Sequence, residues 1–507
     1  MKTQQQKEQS VQQAGPVTKN YNNKIPEEIM TPDMVQTRLG MFKFVDGVPT
    51  PETSQLAYDS LDFMRGVEVF LNFIPATSIE ALRRGNVERG ATTSNQVVIL
   101  ADMLDSDPLM LTGNTDTVYA SCFLDLERDG PTVVKIPRGC GPGTVNDAYF
   151  RFVIDMGAPG PDAGKGGKYL IVPESFKGEL PKDVKNGGEY FVARSPSYVN
   201  WLILRGFLVD GKPDAASKMF HEGLKIYSLA SAAAPPKMEF INSSRVPFNT
   251  IHANTFKFYE ELDSVIQKEP LEAFDEELRG LVASIGIRRG KPFAPDERMK
   301  KTLTESVALG NAAARSITFR SRDPRSFIYE GSQWKSAFIG GDYRWLGGDG
   351  IGGRDLDART MFFYAATVNT PAMTMKMIGK GSQYAVVFAD KAGNDLIGAK
   401  TYTLNIPGNV PANDFWSVVV YDPQTRSELQ TGQPFPSRNN KRDQLAVTAD
   451  GSVDLYFGPP GSSPKGKENN WIETVSGKNW FSILRLYGPT EPWFDKTWRP
   501  GEIEEVK

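Results

Sequence analysis

Histidine and cysteine are scarce in this chain: its 507 residues hold only His221, His252, Cys122 and Cys140. Two histidines exclude a multi-histidine metal centre. Two thiols cannot build a disulfide framework, nor a thiolate zinc site without other ligands. A Ser-His-Asp or Cys-His system could draw on one histidine position only. No hydrophobic run reaches membrane-spanning length, and the N-terminus has no apolar core of a signal peptide. Charge of one sign is also missing, with 58 basic residues against 61 acidic ones. Nothing therefore marks a nucleic-acid surface or a polybasic membrane anchor. G-x-S-x-G, H-E-x-x-H and C-x-x-C are absent too. The expectation is a cytoplasmic protein with neither nucleic acid nor membrane as partner.

What is present suits large cores, with 40% apolar and 23% charged residues. The length suggests two to four domains. Residues 1–38, rich in Gln, Lys and Asn at their start, read as a disordered arm, and residues 39–110 as a helical lead-in. Within the lead-in, Leu56, Leu61, Met64, Val67, Phe70 and Leu71 recur at helical spacing from Pro51 to Phe73, and Pro75 is expected to end that helix. From 111 to 211 short β-rich runs alternate with Gly and Pro. Helical spacing returns over 212–320, and 321–507 is again β-like.

The two β stretches repeat one order. KIPRG with Pro137, AYFRFVID ending at Asp155, GKYLIVP ending at Pro173 and NWLILRGF with Arg205 are followed later by LNIPGN with Pro407, DFWSVVVYD ending at Asp422, GSVDLYFGPP with Pro459 and NWFSILRLYG with Arg485. The fold class expected is mainly β with an α-helical segment: two tandem jelly-roll-like β-sandwich domains, with helices between them and at the N-terminus. The immunoglobulin alternative lacks its Cys…Trp…Cys pattern.

The segments GNTDTVYASCFLDL, GPDAGKGGKYLIVP and WLILRGFLVDG, then DFWSVVVYDPQTRSELQTGQPFPS and ILRLYGPTEPWFDKTWRPGEIE, resemble a family that pairs two domains of unknown function, numbered 1254 and 1214. The resemblance covers nearly everything after Leu39. It implies two jelly-roll-like domains with an added helical segment, and it implies no activity.

Candidate chemistry is thin. In GNTDT, Asn114 and Asp116 suit either an Asx-type turn or the oxygen shell of a hard cation such as calcium, with Tyr119 following as a ligand contact. No other cofactor is evident. GPDAGKGGK lacks the phosphate-loop order and is read as a flexible hairpin. His252 is the better general base of the two histidines, given an orienting carboxylate, and His221 suits solvent or a domain seam. The glycine-dense stretch SQWKSAFIGGDYRWLGGDGIGGRDLDART brings Trp334, Trp345, Asp342, Arg344 and Asp349 together. It is read as a long loop, either an interdomain or subunit contact or a functional loop with aromatics for a sugar or aryl group and carboxylates for acid/base work. His252, Asp116 and Asp342 are thus the catalytic candidates; Asn114, Tyr119, Trp334, Arg344 and Trp345 are the ligand candidates. Arg205 and Arg485 are expected to pair with Asp155 and Asp422. Two functions stay open. One is a small-molecule or carbohydrate-active enzyme of the hydrolase class, with its site between β-sandwich and helices. The other is a non-catalytic ligand-binding or self-assembling protein. A homo-oligomer is expected in either case.

Overall fold

A computed structural model describes residues 24–347 and 352–506. The contacts divide the chain at Phe63 and Met64 into two compact units. The first holds an antiparallel hairpin of Met34–Thr37 and Gly40–Val45. The expected disordered arm therefore overlaps an ordered hairpin, while its part before residue 24 lies outside the described residues. Helix α1, Pro51–Glu88, does not stop at Pro75 as expected but runs through it. Proline removes one backbone hydrogen bond from a helix interior. Burial of Phe73, Ile74 and Ala76, all fully inaccessible, outweighs that loss. The Thr77 hydroxyl also donates to the Phe73 carbonyl at 3.1 Å.

The second unit is a mixed α/β body with as much helix as strand, rather than mainly β. Its sheets come in two matched sets. In the first half a sheet of six strands runs in the spatial order Glu239–Asn242, Gln96–Leu100, Thr117–Asp125, Val199–Phe207, Pro142–Asp147, Phe152–Gly157. It packs on a sheet of four: Tyr190–Ser195, Gly167–Pro173, Thr132–Ile136, Lys225–Ser228. In the second half a sheet of five runs Lys335–Ser336, Ser382–Val387, Phe481–Pro489, Ala412–Tyr421, Ser437–Asn439. It packs on Trp471–Glu473, Val453–Gly458, Tyr402–Ile406, Ile503–Glu505. Omitting the first edge strand, the two orders superpose strand for strand. Both small sheets even carry a parallel pair at the same edge. That match supports duplication. The parallel pairs also depart from a wholly antiparallel jelly roll, so two-sheet halves stand and jelly-roll connectivity does not follow.

Register corrects the repeat in two places. Arg205 lies opposite Tyr119, as Arg485 lies opposite Tyr384, so the arginines are equivalent. Counting along the same ladders, the counterpart of Asp422 is Asp147, not Asp155. Each aspartate starts an Asx turn, the second one residue longer than the first. Asp147 accepts from the Tyr149 amide and Asp422 from the Gln424 amide, both at 2.8 Å. A left-handed residue follows in each, Phe150 (φ 56°) and Arg426 (φ 62°). The shared Asn-Trp pair is also one residue out of register, which a matching dipeptide hides.

The helical stretch expected over 212–320 is not a clean insertion. Its first part returns strands Lys225–Ser228 and Glu239–Asn242 to the sheets of the first half. Helices Lys257–Lys268, Glu276–Ser284 and Glu297–Phe319 then follow. Asp275 and Asp296 start the last two by accepting from the Leu278 and Met299 amides. The stretch expected as a long loop contains a further helix, Leu356–Ala365, capped by Asp355. Asp349 lies outside the described residues. GPDAGKGGK is a turn held by Asp162, which accepts from the Gly157 and Gly166 amides. No helix among the described residues is long and apolar enough to cross a membrane.

Candidate functional site

The residues expected to act are mostly placed as scaffold. His252 is 3% exposed among the rings of Phe70, Phe258 and Tyr364. Its Nδ1 meets the Ala253 carbonyl at 3.0 Å, and its Nε2 has no partner. The orienting carboxylate that a general base needs is not among its neighbours. Burial, helped by the nearby Arg426 cation, lowers its pKa to about 3. The imidazole is thus neutral when folded and protonates near pH 6.5 when unfolded. Stability from this group is complete above pH 6.5 and is lost as pH falls toward 3, by up to ~1.4 kcal/mol per pH unit. His252→Leu should remove that dependence. Urea midpoints at pH 7.5 and 5 should converge in the variant relative to the wild type, and equal acid losses in both would refute the assignment.

Asn114 and Asp116 form an Asx turn, with the Asp116 amide donating to Asn114 Oδ1 at 2.9 Å, and both are fully buried. Asp116 accepts from Ser417 Oγ at 2.5 Å and from Asn439 Nδ2 at 3.0 Å. Its oxygens are therefore engaged by the second half. No cluster of three or more His, Cys, Asp or Glu suited to a metal occurs among the described residues. Trp334 is fully buried and donates to the Gly501 carbonyl at 2.8 Å. Trp345 is 2% exposed behind Phe338 and Phe362. Asp342 pairs with the exposed Arg344 at 3.2 Å. None of these residues lines either cavity at the seam of the two halves, although Asn114 donates to the Tyr119 hydroxyl at 2.5 Å. Tyr119 is the exception.

Tyr119 opens on a cavity where the large sheets of the two halves meet. Arg205, Arg485, Tyr384, Thr112 and Gly113 share its wall, with Phe338 and Phe362 closing it from the helical side. Its empty space, mouth included, is about 510 Å³. A second cavity of about 310 Å³ adjoins it, and Ile203, Arg205, Val368 and Met373 line both. Two duplicated arginines, each on the central strand of its sheet, thus face one seam.

The two are used differently. Arg485 donates to the Thr112 carbonyl at 2.5 Å, the Gly113 carbonyl at 3.1 Å and the Tyr421 hydroxyl at 2.7 Å. The expected partner Asp422 is instead bound to Lys478 at 2.6 Å. Arg205 is 6% exposed and lies against Tyr119, Tyr384 and Tyr487. It is not ion-paired with Asp155, although both line the second cavity. Asp155 Oδ2 accepts from Thr370 Oγ1 at 2.8 Å, while Oδ1 is buried without a partner. Burial raises the Asp155 pKa to about 6, against the opposing pull of the Thr370 and Thr144 hydroxyls and Arg205.

The wall between the cavities is held under strain. Val368 sits at φ 71°, a region that β-branched residues avoid. Asn369 pins it there, donating to the Phe150 carbonyl at 3.1 Å and the Tyr343 carbonyl at 2.7 Å. Asn146 returns a bond to the Asn369 carbonyl at 2.7 Å. Asn146, Val368, Asn369 and Thr370 escaped sequence reading, since an isolated V-N-T-P carries only a helix-start signal.

The chain carries two domains that are matched by family descriptions: Protein of unknown function (DUF1254) over residues 94–228 and Protein of unknown function (DUF1214) over residues 381–491. None of the curated proteins matches it. The crystal structure of the VPA0106 protein from Vibrio parahaemolyticus is 17% identical, with a TM-score of 0.52 over 87% of this chain and 100% of that one. That similarity shows the fold. The crystal structure of an uncharacterized protein from Burkholderia cenocepacia is 12% identical, with a TM-score of 0.40 over 90% of this chain and 97% of that one.

Proposed function

We propose that this protein binds a small organic anion in the seam between its two halves, with Arg205 as the anion contact. The observation that carries the reading is a buried guanidinium, on the wall of both cavities, with no ion-paired carboxylate. A buried cation is costly unless something compensates it, and a carboxylate or phosphate that accepts both edges of the guanidinium would. The surrounding wall of Ile203, Val368, Met373, Phe338 and Phe362 suits an apolar body on that anion. Calorimetric titration with small carboxylates should show binding that weakens at least ~10-fold in Arg205→Met, about 1.4 kcal/mol. Equal affinity in wild type and variant would overturn the reading.

Turnover in the same cavity is the second reading, favoured by Asp155, whose pKa near 6 suits a general base at neutral pH. Hydrolysis of small esters that is lost in Asp155→Asn would establish it. The carbohydrate reading has less behind it, because Trp334 and Trp345 are buried and offer no stacking platform. Self-assembly on the two-sheet scaffold remains the non-catalytic alternative that needs no ligand.

A further inference from the structure

We infer that the ligand at Arg205 is a carboxylate that also bears a hydrogen-bond donor, a small hydroxy or amino acid, held by its carboxylate on Arg205 and its donor on Asp155. This rests on the anion reading above and specifies the second contact.

The duplicated half supplies the argument. Asp155 lies opposite Thr144, which lies opposite Ile203. Ser437 lies opposite Val419, which lies opposite Ile483. Two residues beyond these isoleucines stand Arg205 and Arg485, so Asp155 and Ser437 are equivalent positions beside equivalent arginines. In the second half the space before this pair is filled by the chain itself. Residues 112–116 give Arg485 two carbonyl acceptors and place Thr115 Oγ1 2.6 Å from Ser437 Oγ. The segment thus puts an acceptor on the arginine and a hydroxyl on the neighbouring strand.

In the first half residues 368–372 reach the corresponding place, and Thr370 gives Asp155 Oδ2 the hydroxyl that Thr115 gives Ser437, but they do not occupy the cavity that Arg205 and Asp155 line. The residues that align with Asn114 and Asp116, counted from Tyr384, are Gly379 and Gly381, which bring no side chain to the cavity wall, and Gly381 packs closely on the Ala372 backbone. A guanidinium and a carboxylate remain on its wall, and Asp155 Oδ1 lacks a donor. A buried acceptor left without a donor is costly to the folded state. A ligand with an acceptor at one end and a donor at the other would give Arg205 the acceptor that residues 112–116 give Arg485, and give Asp155 Oδ1 the donor that Thr370 gives Oδ2. Carboxylate and donor meet both polar groups, whereas a plain carboxylate leaves Asp155 unsatisfied.

Calorimetry on the full chain with propionate, lactate and alanine, and with their phenyl-bearing counterparts, tests this. Lactate or alanine should bind at least ~10-fold more tightly than propionate. Asp155→Ala should erase that preference, with a wild-type-like circular dichroism spectrum and cooperative melt showing that the variant is folded. Asp155→Asn, which keeps an acceptor and the side-chain volume, should retain the lactate preference. Equal binding of all three acids by the wild type, or a preference that survives in Asp155→Ala, would overturn the two-point site. Failure of every acid to bind, propionate included, or propionate affinity indifferent to Arg205→Met, would overturn the anion reading itself.

Discussion

Replacing Arg485 by methionine is expected to destabilise the protein by about 3–5 kcal/mol, whereas the same change at Arg205 should leave stability within about 1 kcal/mol of wild type or raise it. The two arginines occupy equivalent positions and are both buried, 5% and 6% exposed. Their partners differ. Loss of Arg485 strips donors from the carbonyls of Thr112 and Gly113 and leaves the Tyr421 hydroxyl without its guanidinium neighbour. Both carbonyls lose a charged donor, so a desolvation cost falls on the folded state. Tyr421 still donates to the Gly113 carbonyl at 2.6 Å, which keeps the loss below a complete collapse of the turn. Arg205→Met removes a cation that lacks a carboxylate and replaces it with an apolar chain of similar length. Thermal midpoints measured side by side give the comparison. Equal losses in the two variants would show that Arg205 is as structural as Arg485, and the case for a ligand there would fall with it.

The duplication was legible because strand alternation, terminal prolines and the I-L-R tail are local features that survive divergence. Its register was not. The ladder alone shows that Asp147, and not Asp155, is the partner of Asp422, because a turn aspartate and a strand aspartate look alike in a string. Asp155 instead has Ser437 for its counterpart and lines a cavity with Arg205. Helix α1 was cut short for a related reason. Pro75 is a strong local stop signal, yet burial around it decides the outcome. Trp334 and Trp345 looked like a binding platform because their stretch is rich in glycine and charge. Neither feature says which way an indole points, and both rings face a core. The cavity itself has no local signature. It arises where residues some 280 positions apart become neighbours through pseudo-symmetry, as Arg205 and Arg485 do.

The sequence of Gly113–Thr117 suits an Asx turn or a ligand shell, and the structure makes it an Asx turn whose polar groups bind its own chain. Asp116→Ala should therefore act at a distance, loosening the second half rather than the turn alone. Asp116 Oδ2 takes the Ser417 hydroxyl and Oδ1 takes the Asn439 amide, from two adjacent strands of the second large sheet. Beside it the Arg442 guanidinium donates to the Thr115 carbonyl at 3.0 Å, and the Thr112 amide donates to the Arg426 carbonyl at 2.7 Å. Removing the carboxylate leaves two buried donors unpaired at once, a loss of about 3 kcal/mol. Hydrogen exchange reads this locally: amides of Ser417, Asn439 and residues 112–117 should exchange ~100-fold faster, since each factor of ten corresponds to about 1.4 kcal/mol. Amides of the small sheet of the first half, which Asp116 does not touch, should be unchanged. In a double-mutant cycle with Ser417→Ala the two losses should fall short of additivity by about 1–2 kcal/mol. Strict additivity, or acceleration confined to residues 112–117, would mean that the turn holds itself. The second half would then not be closed by its own chain, and the comparison that makes the first half an open site would lose its basis.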